Sequence, residues 1–260
     1  VNSINKIRNL RIKMALKNLK INTPLFISTF SDIPTNTGLG SSSAFTVGLI
    51  NVLLKISKKK MSRGEIAEMA YNIEKKITKN SIGKQDHYIS SFGGFVFTNY
   101  RKKKVFVNKI KISNTNQKKL FNNSYILWTG ITRQASSILK DQQNNFQNNI
   151  NSLKEINKVT KKIKNEFEKK TINLKKIGKF IDYTWTFKKK FSKLVTNYKV
   201  DNIYDKSLNL GSYGGKLLGA GNGGFVFFLA GKKEFKKIKK YFKNYKIFEV
   251  EHSENGSEII

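Results

Sequence analysis

The chain has 260 residues, no cysteine, two histidines and a formal net charge of +33. This composition excludes disulfides, cysteine-based metal sites and a histidine-rich metal centre, and its 38% of hydrophobic residues can supply a packed core. No charged-then-apolar leader opens the sequence and no apolar run is long enough for a bilayer, so we expect a cytoplasmic protein without a membrane partner.

The first half of the chain predicts helices mixed with extended segments. One helix is unusual, because Ser42 to Ile56 carries apolar residues on nearly all sides, as a buried helix does. The other predicted elements are a basic helix near 4–18, a strand at Pro24–Phe30, an amphipathic helix at Glu65–Thr78, and paired strands at Gly94–Asn99 and Val105–Ile112.

The second half is predicted to be rich in helices, with short strands between them. Strands and helices do not alternate regularly, which favours an α+β fold over a doubly wound α/β fold. The predicted elements are strands at Tyr125–Thr129, Gly224–Ala230 and Lys246–Val250, and helices near 134–145, 151–169, 174–196 and 233–243.

The large positive charge has two interpretations. It could indicate binding to nucleic acid or to an anionic membrane. It could also be a generic consequence of a composition rich in Lys, Asn and Ile, because the lysines are spread over almost every predicted helix and form no single stripe. We favour the second interpretation and expect no specific nucleic-acid partner, although a positive surface would attract ATP and phosphorylated sugars.

A loop rich in glycine and serine precedes the predicted buried helix. Its glycines allow positive φ and close approach of an anion, and the free N–H groups of the helix point towards that anion. It lacks the Gly-Lys-Ser/Thr of a Walker A loop, and an ordinary turn with a serine N-cap is the alternative. We predict a phosphate-binding loop formed by Pro34, Asn36, Gly38, Leu39, Gly40, Ser41, Ser42 and Ser43.

Two carboxylates are candidates for the chemistry of phosphoryl transfer, which needs held magnesium and a positioned hydroxyl. Glu74 lies at the edge of an apolar helical stripe, where a carboxylate is either paired or functional. A surface glutamate beside Lys75 and Lys76 is the alternative for this position. Asp86 lies between Gly83 and a predicted strand, and by itself it would be interpreted as a helix cap.

The loop resembles the second signature of the GHMP kinases, a superfamily of ATP-dependent small-molecule kinases. The shared pattern is Pro-x3-Gly-Leu-Gly-Ser-Ser running into an apolar helix. Asn36 stands where that family usually has glycine, a mild departure because Asn also tolerates positive φ. A later glycine-rich stretch resembles the third signature, and it adds Gly219, Ala220, Gly221, Gly223 and Gly224 as predicted nucleotide-binding residues.

Two further stretches are similar to the heptose 7-phosphate kinase branch of this superfamily. They are Gly83-Lys84-Gln85-Asp86-x-Tyr88 followed by Phe92-Gly93-Gly94, and Trp128-Thr129-Gly130-Ile131-Thr132-Arg133. The resemblance implies that Asp86 is the base and that ATP and Mg²⁺ are required. The positive charge of the neighbouring Lys84 would assist Asp86 by stabilising charge during the transfer. It implies Ser42 and Glu74 as magnesium ligands, and Gln85, Thr129, Gly130 and Arg133 as contacts of a sugar or sugar-phosphate substrate.

The resemblance also implies the architecture. We expect two α+β domains with the nucleotide between them: residues 1–115 as an incomplete N-terminal domain like ribosomal-protein-S5-domain-2, and residues 116–260 as a ferredoxin-like α/β sandwich. No first GHMP signature is found before Ser31, so we expect a missing segment, or a homodimer or partner that supplies it. The competing hypotheses are a non-catalytic kinase relative and, from the charge alone, a nucleic-acid-binding domain.

Overall fold

The protein is described by a computed structural model covering residues 1–79, 82–101, 104–132 and 135–260, and it divides into two compact units. Unit 1 comprises Val1–Thr35, Gly40–Lys109 and Ser253–Ile260, and unit 2 comprises Asn36–Leu39 and Ile110–His252. The predicted α+β class is confirmed, with antiparallel strand pairs in both units. The predicted domain boundary near residue 115 stays a prediction.

Unit 1 is built around a central helix. The Ser62 side chain and Glu65 form a reciprocal capping box that starts one of the neighbouring helices. The central helix α2 (Ser41–Ile56) contacts the helices at Leu10–Leu19, Arg63–Ile77 and Gln85–Phe92. Its Val47, Ile50 and Leu53 lie in a core that it shares with the first two of these helices. The elements are α1 (Leu10–Leu19), α2 (Ser41–Ile56), α3 (Arg63–Ile77), α4 (Gln85–Phe92) and an antiparallel hairpin of β1 (Val96–Arg101) and β2 (Lys104–Lys109).

The predicted strand at Pro24–Phe30 was wrong, because in the described residues this segment pairs with no other strand. Its side chains alternate as a strand's would: Leu25 and Ile27 pack on the core of unit 1, whereas Phe26 and Phe30 are 95% and 96% exposed. The sequence has the periodicity of a strand, but a strand also requires a neighbouring backbone to bond with.

The prediction of a helix buried on all sides was also wrong for α2. Val52 and Ile56, which lie one turn apart, are about half exposed. These two side chains form a partly exposed apolar stripe on α2, separate from the faces of the helix that contact α1, α3 and α4. Periodicity reports where apolar side chains lie on a helix, but it does not report how many of its faces are covered.

We expect the exposed aromatic pair of the Pro24–Phe30 segment to promote self-association without supporting the fold. Replacing both side chains, Phe26→Thr with Phe30→Thr, should reduce the fraction of oligomer in size-exclusion chromatography and leave the melting temperature unchanged, because neither ring is buried. Phe228→Thr is the control, since that ring is fully buried and its loss should cost about 3–5 kcal/mol of stability. A large drop in melting temperature for the double variant would contradict the expectation.

Unit 2 is a four-stranded antiparallel sheet with helices. Its strand order is β4-β5-β3-β6. Leu127, Val226 and Phe228 form the centre of its core with the buried Trp185. The elements are α5 (Asn114–Phe121), β3 (Ser124–Trp128), α6 (Ala135–Asn144), α7 (Ile150–Phe167), α8 (Leu174–Lys189), α9 (Tyr198–Asn209), β4 (Gly214–Leu217), β5 (Phe225–Leu229), α10 (Lys232–Tyr241) and β6 (Ile247–Glu249).

The long helix predicted near 174–196 is shorter in the structure. Helix α8 ends at Lys189, and the unpredicted helix α9 begins after Asn197, whose side chain accepts a hydrogen bond from the Val200 N–H at 3.0 Å. This side-chain cap gives α9 its own start. Among the described residues, no helix combines the length and the apolar character that crossing a lipid bilayer requires.

Candidate active site

The predicted phosphate loop has the backbone that its sequence indicates. Asn36, Gly38 and Gly40 have φ values of 63°, 87° and 72°. The prediction that Asn36 substitutes for glycine at a positive φ is therefore confirmed. Gly40 directly precedes α2 and has no side chain that could cap the first N–H groups of the helix. These groups and the helix dipole suit a bound phosphate.

A buried carboxylate lies beneath the start of α2 in unit 1. Glu74, on α3, has no exposed surface. Its carboxylate accepts hydrogen bonds from the hydroxyls of Ser42, Ser43 and Thr46, the last two at 3.3 and 3.0 Å. The hydroxyl groups in the first two turns of α2 are therefore bonded to this carboxylate. The alternative interpretation of Glu74 as a surface glutamate is wrong.

Two basic groups complete the surroundings of Glu74. The Arg11 Nε donates to Glu74 Oε1 at 2.7 Å, and the His87 Nε2 lies 3.0 Å from Glu74 Oε2. Burial by itself raises the pKa of the Glu74 carboxyl group, but hydrogen bonds from His87, Ser42 and Arg11 outweigh burial and lower that pKa to about 2. Glu74 is therefore an anion at neutral pH.

Asp86 lies beside the phosphate loop. It is in the first turn of α4 and is exposed to solvent. A Cβ built on Gly40 would lie 3.3 Å from the Asp86 Cβ and Cγ, so the aspartate packs directly against the loop. A carboxylate in this position can reach a hydroxyl that approaches an anion held by the loop.

Lys84 lies in a different arrangement from the one that its proposed role requires. Its ammonium group bonds both carboxylate oxygens of Glu68, at 2.6 and 2.8 Å, and lies 4.9 Å from the centre of the Tyr71 ring. The Tyr88 hydroxyl donates to the same glutamate at 2.5 Å. The Lys84 ammonium group is thus bonded to Glu68, and these contacts do not support the predicted role of Lys84 in assisting Asp86.

In unit 2, the glycine-rich stretch of the third signature contacts the phosphate loop. A Cβ built on Gly224 would lie 2.1 Å from the Thr37 carbonyl oxygen, and Gly224 has a φ of +100°. Thr37 is 1% exposed. Residues 36–39 of the loop therefore rest on Gly224, and this contact tolerates no side chain.

The register of the sheet positions this glycine. Trp128 of β3 lies opposite Phe225 of β5, so Thr129 follows directly beside Gly224. The Thr129 N–H and hydroxyl donate to the Gly224 carbonyl at 3.0 and 2.8 Å, and the Gly224 N–H donates to the Ile131 carbonyl at 2.9 Å. The turn after β3 thus holds the glycine-rich stretch in place.

The remaining residues of the third signature form a tight turn. Gly219, Gly221 and Gly223 have positive φ, as does Asn222 with a φ of 60°. The Lys188 ammonium group donates to the Gly219 carbonyl, and the Gln142 side chain donates to the Ala220 carbonyl at 2.9 Å. Their contact with nucleotide stays a prediction.

The predicted substrate contacts differ in exposure. Gln85 begins α4 next to Asp86 and is exposed. Thr129 is fully buried with its hydroxyl bonded to Gly224, an arrangement that favours a structural role over a contact with substrate. Gly130 has a φ of 76°. Arg133 lies outside the described residues.

Sequence reasoning missed several residues of this region. Thr46 lies one helical turn after Ser42, so its place on the same face of α2 could have been predicted. Arg11, His87, Glu68 and Thr37 carry no local signal, because their partners are distant in the sequence. The distance along the chain from Arg11 to Glu74 is 63 residues.

Ser42 and Glu74, the predicted ligands of Mg²⁺, place two oxygen atoms where a cation could contact both. The Glu74 carboxylate is ionised and its Oε1 lies within hydrogen-bonding distance of the Ser42 hydroxyl, so the two oxygens face one position. The Arg11 guanidinium bonds both of them, which shows that this position accepts positive charge. One carboxylate and one hydroxyl are a usual protein contribution to a magnesium ion that also binds phosphates and water.

Comparisons with known proteins identify the family of the chain. The GHMP kinase N-terminal domain profile matches residues 6–94, and the C-terminal profile matches residues 168–247. D-glycero-alpha-D-manno-heptose 7-phosphate kinase from Campylobacter jejuni is 32% identical over 78% of this chain. The chain spans 60% of the length of that relative.

Solved structures show the same fold. A mevalonate kinase crystal structure has a TM-score of 0.66 and 25% identity, and the match covers 95% of this chain and 77% of the other. A D-glycero-D-manno-heptose 1-phosphate kinase from Bacteriodes thetaiotaomicron has a TM-score of 0.69 and 21% identity, with coverage of 95% and 73%. At 21% identity, the similarity to the heptose 1-phosphate kinase structure shows a shared fold and nothing about activity. With both family profiles matched and the two-domain α+β fold shared, the chain belongs to the GHMP kinase family.

Proposed function

We propose that this chain is an ATP-dependent kinase that transfers the γ-phosphoryl group to a hydroxyl of a sugar phosphate, with D-glycero-D-manno-heptose 7-phosphate as the first substrate to test. The packing of Asp86 against Gly40 carries this proposal, because it brings a carboxylate to the edge of the phosphate loop. The 32% identity to the Campylobacter heptose 7-phosphate kinase supports the choice of substrate.

The proposed reaction assigns a role to each group of the loop and its neighbours. The N–H groups of the loop and of the first turn of α2 bind the phosphates of ATP. The acceptor hydroxyl oxygen attacks the γ-phosphorus while the bond from this phosphorus to the β,γ-bridging oxygen breaks, and the hydroxyl proton passes to Asp86. When bound, Mg²⁺ supplies charge neutralisation on the phosphates, and Ser42 and Glu74 are the residues that would hold it.

A substrate panel tests the proposal. The chain is incubated with ATP, MgCl₂ and heptose 7-phosphate, galactose or mevalonate, and ADP formation is measured, with the complete Campylobacter relative as a positive control. We expect turnover with heptose 7-phosphate above the background seen without acceptor. Binding of ATP without turnover of any acceptor would support the alternative, a non-catalytic relative that binds nucleotide, and absence of ATP binding would reject both functions.

A further inference from the structure

We propose that the Arg11 guanidinium occupies the cation position between Ser42 and Glu74, so that Arg11 and a divalent cation exclude each other at this position. The proposal rests on the proposed function, because that function brings a metal–nucleotide complex to the loop. It assigns to Arg11 a task beyond an ordinary ion pair: the side chain must leave before a metal ion can contact Glu74.

The contacts of the guanidinium support this assignment. Its Nε donates to Glu74 Oε1 at 2.7 Å, and its Nη2 donates to the Ser42 hydroxyl oxygen. The same hydroxyl donates to Glu74 Oε1. One positive group therefore bridges the two oxygens that were predicted as metal ligands.

The hydrogen bonds on Glu74 leave no place for a second cation. Its Oε1 accepts from Arg11, Ser42 and Thr46, and its Oε2 from Ser43 with His87 also in contact. An ionised carboxylate offers about four lone-pair positions. All of them are used while Arg11 is in place, so a metal ion can bind Glu74 only by replacing a donor.

Arg11 is the donor whose departure disturbs the fold least. Its backbone is fixed in the first turn of α1 by the Asn9 side chain, which accepts from the Arg11 and Ile12 N–H groups at 3.0 and 3.2 Å. Its side chain is 30% exposed, so rotation takes it into water without unwinding the helix. Glu74 is fully buried, and an uncompensated buried charge is costly, so the guanidinium leaves only when another cation takes its place.

Binding of Mn²⁺ alone, followed by electron paramagnetic resonance, tests this exclusion without any activity assay. Removing the competing charge in Arg11→Gln should tighten Mn²⁺ binding roughly 5- to 150-fold, the range of a typical coupling between two ligands. The variant should melt at a lower temperature than wild type without metal and should recover more on addition of Mn²⁺. Lys17→Gln, an exposed site on the same helix, removes the same charge and should change neither quantity.

Arg11→Lys is the second variant, because it keeps the charge but cannot bridge Ser42 and Glu74 with a planar fork. We expect its Mn²⁺ affinity to lie between those of wild type and Arg11→Gln. If Arg11→Gln does not fold, the Mn²⁺ affinity of Arg11→Lys tests the proposed exclusion instead. Equal or weaker Mn²⁺ binding by the folded variants would overturn the proposal, even if ATP binds normally. Tighter Mn²⁺ binding would support it even if ATP fails to bind, an outcome that would reject only the proposed function.

Discussion

Asp86→Asn should lower kcat for the accepted sugar phosphate roughly 10²- to 10⁴-fold, the usual contribution of a positioned general base. The amide keeps the shape of the side chain beside Gly40 but cannot take the hydroxyl proton. ATP affinity should change little, because the proposed function assigns the phosphates to backbone N–H groups and not to this side chain. Initial rates and isothermal titration with an ATP analogue measure the two quantities separately.

Asp32→Asn is the matched control for this carboxylate-to-amide change. Asp32 is exposed near the start of the same loop, and its replacement should leave kcat within a few-fold. Since Asp86 also lies in the first turn of α4, its loss could cost about 0.3–1 kcal/mol of helix stability, and a melting curve accounts for that effect. If Asp86→Asn keeps kcat within a few-fold while Glu74→Gln abolishes turnover, Asp86 is not the base, and its contribution is to the first turn of α4, whose N-cap is Lys84.

Gly224→Ala should destabilise the protein by about 2–5 kcal/mol, the combined cost of a left-handed backbone for alanine and of overpacking. The new methyl group would lie 2.1 Å from the Thr37 carbonyl oxygen, at a backbone φ of +100°. The obstacle is backbone, so it cannot rotate away as a side chain would. Either the loop residues 36–39 or strand β5 must shift, and ATP affinity should fall with the shift of the loop.

Urea unfolding measures this loss, and Gly64→Ala is the control. Gly64 lies in α3, where a Cβ built on its backbone would have no neighbouring atom within 4 Å, and alanine there should raise stability by up to about 1 kcal/mol through its helix propensity. The two substitutions add the same methyl group, so their difference reports the left-handed backbone of Gly224 and its contact with Thr37 together, apart from the helix propensity at Gly64. Equal stability of the two variants would show that the glycine-rich stretch does not support the phosphate loop as described.

The local chemistry of the loop was determined by the sequence alone. Asn36, Gly38 and Gly40 adopt positive φ because their side chains permit it, and Ser41 begins a helix because an apolar run follows. These are properties of neighbouring residues, so a sequence can encode them without reference to distant parts. The same reasoning explains why the hairpin of β1 and β2 was predicted correctly.

Only the tertiary structure decided which groups surround Glu74 and Lys84. The resemblance to the GHMP kinases implied that Glu74 and Ser42 share a magnesium ion, but only the packing of α1 against α2 and α3 shows that Arg11 contacts both. The Lys84 ammonium group is bonded to Glu68. The segment at Pro24–Phe30 shows the same limit, because its strand pattern is clear and its backbone has no strand partner among the described residues. The alternation of apolar and polar side chains is a property of neighbouring residues, so the sequence shows it directly. The pairing of strands and of charged side chains depends on residues that are distant in the sequence, and no local pattern specifies which of them the fold brings together.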